Sequence, residues 1–157
     1  MPLPNPIIHV NQLADGYCLA ACAEMALLQW GIQTTQKQLA SLLNIRPGFG
    51  TPFSSIRAIT RYGVDLQIFS WQGIEVLKKS LDTPNAIAIA AIVTIPAFVG
   101  WSQRSTQHVV LVTRVDSATV TYHDPALFTG PVQISVDEFM LAWIEMDEMV
   151  AVLQPKR

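Results

Sequence analysis

The spacing of hydrophobic positions changes near the middle of the chain. Before residue 63, apolar residues fall in segments rich in Ala, Leu and Met that are bounded by glycines and capping residues, a pattern that favours helices. We therefore predict helices over 18–30, 35–43 and 51–62. After residue 63 the pattern shifts to shorter apolar runs typical of β-strands.

Capping signals locate the starts of these helices. Asp15, in an Asp-Gly-Tyr turn, is expected to place its carboxylate at the start of the first helix. Thr35 and Gln38 have the spacing of a capping box for the second helix. Thr51 is expected to cap the third helix, with Pro52 at its first position.

The second half predicts a sheet with two more helices. The predicted strands are 64–70, 86–95, 107–115, 119–124, 132–134 and 149–153, the last of which closes the sheet, and the predicted helices are 72–81 and 135–143. Helices followed by mostly antiparallel strands indicate an α+β fold of two lobes, with N-terminal helices packed on a C-terminal sheet. We expect one domain over 1–157, with an extended proline-containing lead-in over 1–11.

Composition excludes several classes of function. The chain has 157 residues, 50% of them hydrophobic and 14% charged, which indicates a well-buried core. The net charge is −2 and no basic run is longer than Lys78-Lys79, so no nucleic-acid partner is expected. The longest apolar stretch, 86–101, is too short to span a membrane and contains Pro96.

The cysteine count favours a reducing compartment. Two cysteines are too few for a disulfide scaffold, and Cys18 and Cys22 lie one helical turn apart, where they are poor bridge partners. The N-terminus has neither the basic nor the apolar segment of a signal peptide. We therefore expect a cytoplasmic protein with reduced thiols. Metal ligands are too few, so neither a metal nor another cofactor is expected.

Cys18 is the candidate nucleophile. It falls in the first turn of the first predicted helix, where free N–H groups and the helix dipole favour a thiolate. The alternative is a small apolar residue on a buried helix face, as free cysteines often are. We apply that structural interpretation to Cys22, which lies deeper in the helix.

His108 and Asp124 are the candidate base and its orienting acid. A hairpin loop with an odd number of residues, centred on Ser117, would place both on one face of neighbouring strands. A two-residue turn would place them on opposite faces. Asp124 could then hold the imidazole of His108 in one tautomer. The alternatives are a strand-end histidine and a strand-terminating Asp-Pro. His9 and His123 are interpreted as structural or solvated.

Gln12 and Trp101 complete the candidate site. Gln12 lies six residues before Cys18, and its amide could stabilise an oxyanion together with the Cys18 N–H. The alternative is a loop glutamine that faces water. Trp101, in the loop before His108, is predicted to line a substrate cleft.

These residues, in this order, resemble the C39-type peptidases. This branch of the papain-like superfamily occurs at the front of bacteriocin-exporting ABC transporters and as free-standing proteins. Gln12, Cys18, Ala21-Cys22 and Met25 resemble its front motif. The segments 107–111 and 123–125 are similar to its catalytic histidine strand and its Asn-Asp-Pro, and the resemblance extends to Leu153. Tyr17 and Leu19 stand where the family usually has Asp and Gly.

The resemblance implies a papain-like fold and a cysteine peptidase. Cys18 would attack the peptide, His108 would transfer the proton, Asp124 would orient His108, and Gln12 would stabilise the oxyanion. The implied substrate is an extended peptide, such as a leader ending in Gly-Gly, with an ABC exporter as a candidate partner. Two alternatives remain open: transfer of the same thioester to an amine or thiol, and a non-catalytic peptide-docking module.

Overall fold

The computed structural model describes residue 3 and residues 5–156. The helices are α1 (Cys18–Gln29), α2 (Gln36–Leu42), α3 (Gly73–Ser80) and α4 (Val136–Ile144), and a 3₁₀ helix covers Phe53–Tyr62. The strands are β1 (Val64–Phe69), β2 (Ile87–Val93), β3 (Gln107–Val115), β4 (Thr119–His123), β5 (Val132–Ser135) and β6 (Val150–Pro155). Each helix and strand predicted from the sequence has a counterpart.

The strands form a six-stranded antiparallel sheet in the order β1-β6-β2-β3-β4-β5. The last strand of the chain therefore does not close the sheet at an edge, contrary to the prediction. It lies between β1 and β2, since its almost wholly apolar sequence buries side chains on both faces. Val150 contacts one core and Ala151 and Leu153 contact the other.

Two hydrophobic cores cover the two faces of this sheet. Alternation along β2 sends Ile87, Ile89 and Ala91 to the core shared with α1, α2 and the 3₁₀ helix. The intervening residues Ala88 and Ala90 face a second core built with α3 and α4. The alanines and small side chains of α1 let this helix pack closely on the sheet, and its buried positions include Ala20, Ala21, Cys22, Ala23 and Ala26.

Of three predicted helix starts, one folds as predicted and two differ. The capping box of Thr35 and Gln38 is present in α2, as predicted. Asp15 does not cap α1, whose N-cap is Tyr17 with no side-chain hydrogen bond. The third helix is a 3₁₀ helix with Pro52 as its N-cap, because the Thr51 hydroxyl donates instead to the Leu43 carbonyl at 3.0 Å.

The β3–β4 hairpin has the predicted register near His108 and Asp124, but its turn differs from the predicted one. Its turn is short, since the Asp116 N–H donates to the Thr119 carbonyl and Val115 pairs with Val120. A β-bulge between Val112 and Arg114 then shifts the pairing by one residue, so that Leu111 pairs with His123. The predicted odd-numbered loop was therefore wrong, and the bulge supplies the extra residue instead.

The lead-in lies along the domain without regular secondary structure from residue 5 to residue 12, and residues 1, 2 and 4 of the predicted lead-in lie outside the described residues. Its end is fixed where the Gln12 N–H donates to the Pro125 carbonyl at 2.7 Å. Across residues 3 and 5–156, no helix is both long enough and apolar enough to cross a membrane.

Candidate active site

Cys18 is the first residue of α1. The helix has no side-chain cap and no acidic residue in its first turn, so no carboxylate competes for the positive end of its dipole. The N–H groups at a helix start have no partner within the helix, and the missing cap leaves them available to a ligand. Because Asp15 does not cap α1, free backbone N–H donors remain beside the Cys18 thiol.

The two cysteines differ in access. Cys18 is half-buried and lines a cleft, whereas Cys22 is fully buried. Burial raises the pKa of the Cys22 thiol well above its ordinary value, and the nearby negative charges of Cys18 and Asp124 raise it further. Cys22 packs in the hydrophobic core, and its Sγ lies 3.9 Å from the Val109 carbonyl oxygen. Of the two, Cys18 alone is placed for chemistry.

His108 and Asp124 meet beside this thiol. His108 follows the first residue of β3, and Asp124 follows the last residue of β4. Because of the bulge, Asp124 falls on the same face as His108, and the imidazole Nε2 lies 2.7 Å from Asp124 Oδ1. A carboxylate only accepts, so Nε2 carries the hydrogen and Nδ1 is left for Cys18.

Three donors converge on the Asp124 carboxylate. His108 Nε2 and the backbone N–H of Ala126 donate to Oδ1, the latter at 2.8 Å, and Trp101 Nε1 donates to Oδ2 at 2.7 Å. Asp124 is wholly buried, with 0% of its surface exposed. Burial alone would raise the pKa of Asp124, but the hydrogen bonds and charge of His108, with the bonds of Trp101 and Ala126, hold it below its ordinary value. The surroundings require an acceptor on both oxygens, which suits a carboxylate.

His108 is held in its charged form. Burial alone would lower the pKa of His108, but hydrogen bonds with Asp124 and Cys18, and the negative charges of both, raise it to about 9. An imidazolium beside a thiol stabilises the thiolate, which is the nucleophilic form. The three side chains form a contiguous series of contacts from the buried carboxylate to the cleft.

Trp101 has contacts beyond the cleft-lining position predicted for it. It borders the cleft, but it is only 5% exposed, and its indole N–H is bonded to Asp124. Its ring lies against the His108 ring at a centroid distance of 4.9 Å, and the Arg104 guanidinium lies 5.1 Å above the indole. Trp101 therefore contacts both members of the His108–Asp124 pair rather than serving only as a wall.

Gln12 borders the cleft with Cys18 and His108. Its side-chain amide is weakly held: Nε2 donates to the Ala14 carbonyl at a long 3.4 Å, and no described residue hydrogen-bonds the buried Oε1. Its backbone is held firmly by Pro125, in the turn after Asp124. Gln12 therefore has an anchored backbone and a side chain that is free to donate.

The cleft has a volume of about 690 Å³ and is lined by Cys18 and His108. Its lining also includes Gly50 to Phe53, Trp101 and Arg104. Leu19, which borders the cleft, is 4% exposed and belongs to the hydrophobic core. Its bulk is therefore accommodated inside the protein.

The remaining histidines form a separate pair behind Asp124. His9 Nδ1 lies 2.9 Å from His123 Nδ1, and His9 Nε2 lies 2.7 Å from the Leu127 carbonyl. Burial, and then the charge of His9, lower the pKa of His123 to about 4. Among the described residues, no group of three or more His, Cys, Asp or Glu side chains could hold a metal.

The sequence did not reveal three contributors to this site. Arg104 and Asp15 line the cleft, and no local pattern marks this role because both come from loops whose paths depend on tertiary contacts. The third contributor is the Ala126 N–H, which binds Asp124. The Asp124-Pro125-Ala126 turn was the available signal for the last of these. An Asp that begins a turn commonly accepts a hydrogen bond from the backbone two residues later.

Solved structures show the same fold. A protein from Bacillus anthracis assigned as a C39-like peptidase superposes with a TM-score of 0.76 at 17% identity, covering 99% of this chain and 98% of that one. The peptidase domain of Streptococcus ComA, a bi-functional ABC transporter involved in a quorum-sensing pathway, gives 0.72 at 18% identity, covering 94% and 97%. A double glycine motif protease from an AMS/PCAT transporter, in complex with its leader peptide, gives 0.71 at 18% identity, covering 99% and 98%.

These similarities confirm the predicted α+β, papain-like fold. No curated protein sequence matches the chain. The model of the Peptidase_C39 like family matches residues 5–150, which include all the candidate site residues. The chain belongs to the Peptidase_C39 like family.

Proposed function

We propose that this protein is a cysteine peptidase whose catalytic residues are Cys18, His108 and Asp124, with Gln12 as oxyanion donor. The observation that carries the proposal is the chain of contacts from the buried Asp124 through His108 to the thiol at the cleft. A binding module has no need of a buried carboxylate that keeps an imidazole charged beside a cysteine. Perturbed ionisable groups of this kind are concentrated at catalytic sites.

In the proposed reaction, the Cys18 thiolate attacks a peptide carbonyl and forms a tetrahedral oxyanion. The Gln12 amide and the Cys18 N–H donate to that oxygen. The His108 imidazolium gives its Nδ1 proton to the departing amine, which leaves a thioester on Cys18. Neutral His108 then removes a proton from water, which hydrolyses the thioester and releases the acid. Asp124 keeps Nε2 protonated and the ring oriented throughout.

We propose that the substrate is an extended peptide, such as a leader that ends in small residues of the Gly-Gly type. Support comes from the open cleft and from the structural neighbour that is a double glycine motif protease with a bound leader peptide. A cytoplasmic location, bacteriocin-type processing and association with an ABC exporter belong to the same proposal. The ComA neighbour, a domain of an ABC transporter, supports the last of these.

Two assays test the proposal. Iodoacetamide at pH 6 should label Cys18 rapidly and leave the buried Cys22 unlabelled, and the rate should fall in His108→Ala. Peptides containing Gly-Gly should then be cleaved by the parent and not by Cys18→Ala. A slow labelling rate that is the same in the parent and in His108→Ala, together with no cleavage of any peptide in a broad library, would contradict a peptidase. Product analysis with added amine separates hydrolysis, which gives free acid, from transfer, which gives an amide.

A further inference from the structure

Gln36 makes contacts that the reaction outlined above does not use. It is the first residue of α2, and its side chain is buried, with 4% of the residue exposed. Its Oε1 accepts from the Leu13 N–H at 2.8 Å, and its Nε2 donates to the Asn11 carbonyl at 3.1 Å. One side-chain amide therefore holds the backbone on both sides of Gln12.

The same amide is joined to the helix that carries the thiol. Glu24, on α1, lies beside Gln36: burial raises the pKa of Glu24, and the backbone N–H and the side chain of Gln36 oppose that rise. All polar groups of the Gln36 amide thus have partners, and its orientation is fixed.

The residues 11–13 are also bonded on their other side. The Asn11 Nδ2 donates to the carbonyls of Pro125 at 2.7 Å and Leu127 at 3.2 Å, and the Gln12 N–H donates to Pro125. These hydrogen bonds hold the Gln12 backbone against the turn that follows Asp124. The hydrogen bonds of Gln36 hold the same backbone near the helix that carries Cys18.

We propose that Gln36 is a positioning residue that sets Gln12 against Cys18. This inference rests on the proposed function. Among the described residues, the Gln12 side chain has one partner, at a long 3.4 Å, so its placement depends on its backbone. An oxyanion donor must lie within hydrogen-bond distance of the transition-state oxygen, and small displacements are costly. Gln36 supplies the restraint without touching the substrate.

The test is a double-mutant cycle on peptide cleavage. Removing an oxyanion donor costs about 10²–10³ in kcat, so Gln12→Ala should lose roughly that much. Gln36→Met keeps the side-chain length but removes both hydrogen bonds, and it should lower kcat about tenfold with KM within about twofold. In the Gln12→Ala background, Gln36→Met should cost less than about twofold more. Equal losses in both backgrounds would overturn the proposal.

Gln38→Met is the matched control. It removes the exposed capping-box glutamine of the same helix, whose hydrogen bonds are with Thr35 and not with Asn11 or Leu13. It should lower the midpoint of urea unfolding while leaving kcat unchanged. We call the two hydrogen bonds of Gln36 to Asn11 and Leu13 the clamp. A kcat loss in Gln38→Met equal to that of Gln36→Met would show that the helix as a whole, rather than the clamp, is responsible.

Gln36→Glu adds a readout that simple structural damage would not give. The introduced carboxyl still accepts from Leu13 but donates to Asn11 only when it is protonated. The kcat of Gln36→Glu relative to the parent should therefore rise as pH falls, and a flat ratio would contradict the clamp.

Hydrogen exchange keeps this proposal separate from the proposed function. If the parent cleaves no peptide, the proposed function fails, but the Leu13 amide still reports on the clamp. It should exchange slowly in the parent and in Gln38→Met, and rapidly in Gln36→Met. Rapid exchange in the parent would overturn the clamp itself.

Discussion

The two buried histidines on neighbouring strands have opposite protonation behaviour. His108 and His123 are 6% and 2% exposed, and burial lowers the pKa of each. At His108 a carboxylate and a thiol reverse that effect and raise the pKa to about 9. At His123 the partner is another imidazole, and the pKa falls to about 4. The partner, rather than the depth of burial, decides whether a histidine is ready to act as an acid.

The cysteines repeat the contrast. Cys18 and Cys22 lie on one helix a single turn apart, but one lies at the helix start beside an imidazolium and the other among alanines. Each reactive side chain is thus paired with a close, inert counterpart of the same type. Substitution of the inert counterpart is therefore a control for substitution of the reactive residue.

The largest expected effect is at the nucleophile. Cys18→Ala should lower peptide cleavage by at least about 10⁴-fold, because no other described thiol reaches the cleft. Cys22→Ala should leave cleavage within about twofold while reducing thermal stability, since it leaves a small cavity in the core. Kinetic assays and calorimetry measure the two effects. Comparable activity losses in both variants would remove the distinction between the cysteines.

Asp124→Asn should give the next largest effect. A carboxamide cannot accept from both sides, so its NH₂ would face either Trp101 Nε1–H or the donors on the other oxygen. Loss of the negative charge should lower the pKa of His108, and kcat/KM at pH 7 should fall roughly 10²-fold. An unchanged pH–rate profile would show that Asp124 serves only to shape the turn.

Trp101→Phe tests the donor without removing the ring. It keeps an aromatic face against His108 but removes the bond to Asp124 Oδ2, so kcat/KM should fall about tenfold, which corresponds to one hydrogen bond to a charged group. Trp143→Phe is the control, since this tryptophan belongs to the same core but its indole N–H binds the Met149 carbonyl, at 2.9 Å, and not Asp124. We expect it to reduce stability alone. Equal kinetic losses in the two variants would contradict a specific role for Trp101.

The smallest expected effects are on stability, and the two histidines should give opposite signs. For His108 the folded pKa of about 9 lies above the ordinary 6.5, so its contribution is full below pH 6.5 and is lost as pH rises through about 9. For His123 the folded pKa of about 4 lies below 6.5, so stability falls as pH falls from 6.5 to 4.

Urea unfolding from pH 4 to pH 9.5 measures both effects. His108→Gln should flatten the alkaline loss of stability, and His123→Gln should flatten the acid loss. Both substitutions remove a titrating imidazole from the interior, so they are matched. If His108→Gln keeps the parent's alkaline loss of stability and His123→Gln keeps its acid loss, then His108 is not the charged histidine and His123 is not the neutral one.

The local signals in the sequence predicted most of the elements but not how they meet. The apolar run of β2 and the capping box of α2 depend on nearby residues, and both lie where the pattern indicates. The place of β6 inside the sheet depends on pairing with β1 and β2, which are distant in sequence. Its apolar composition was the one signal that it is not an edge strand.

The candidate site was predictable in its members more than in its contacts. Gln12, Cys18, His108 and Asp124 all border or adjoin one cleft, although their hydrogen bonds depend on a bulge that no local pattern marks. The predicted odd-numbered hairpin loop was wrong. His108 and Asp124 still lie on one face of the sheet, as predicted, because the bulge adds the missing residue. The contacts of Trp101 with Asp124, and of Gln36 with Asn11 and Leu13, join residues far apart in the chain. Neither could be read from spacing.

The decisive experiment on the proposed catalytic unit is an NMR titration of the His108 imidazole in the parent and in Cys18→Ala. We expect the parent to titrate near pH 9, and the pKa to fall in Cys18→Ala because a negative neighbour has been removed. His123 is the internal reference and should stay neutral down to about pH 4 in both proteins. A His108 that titrates near 6.5 and is indifferent to Cys18 would contradict a catalytic unit.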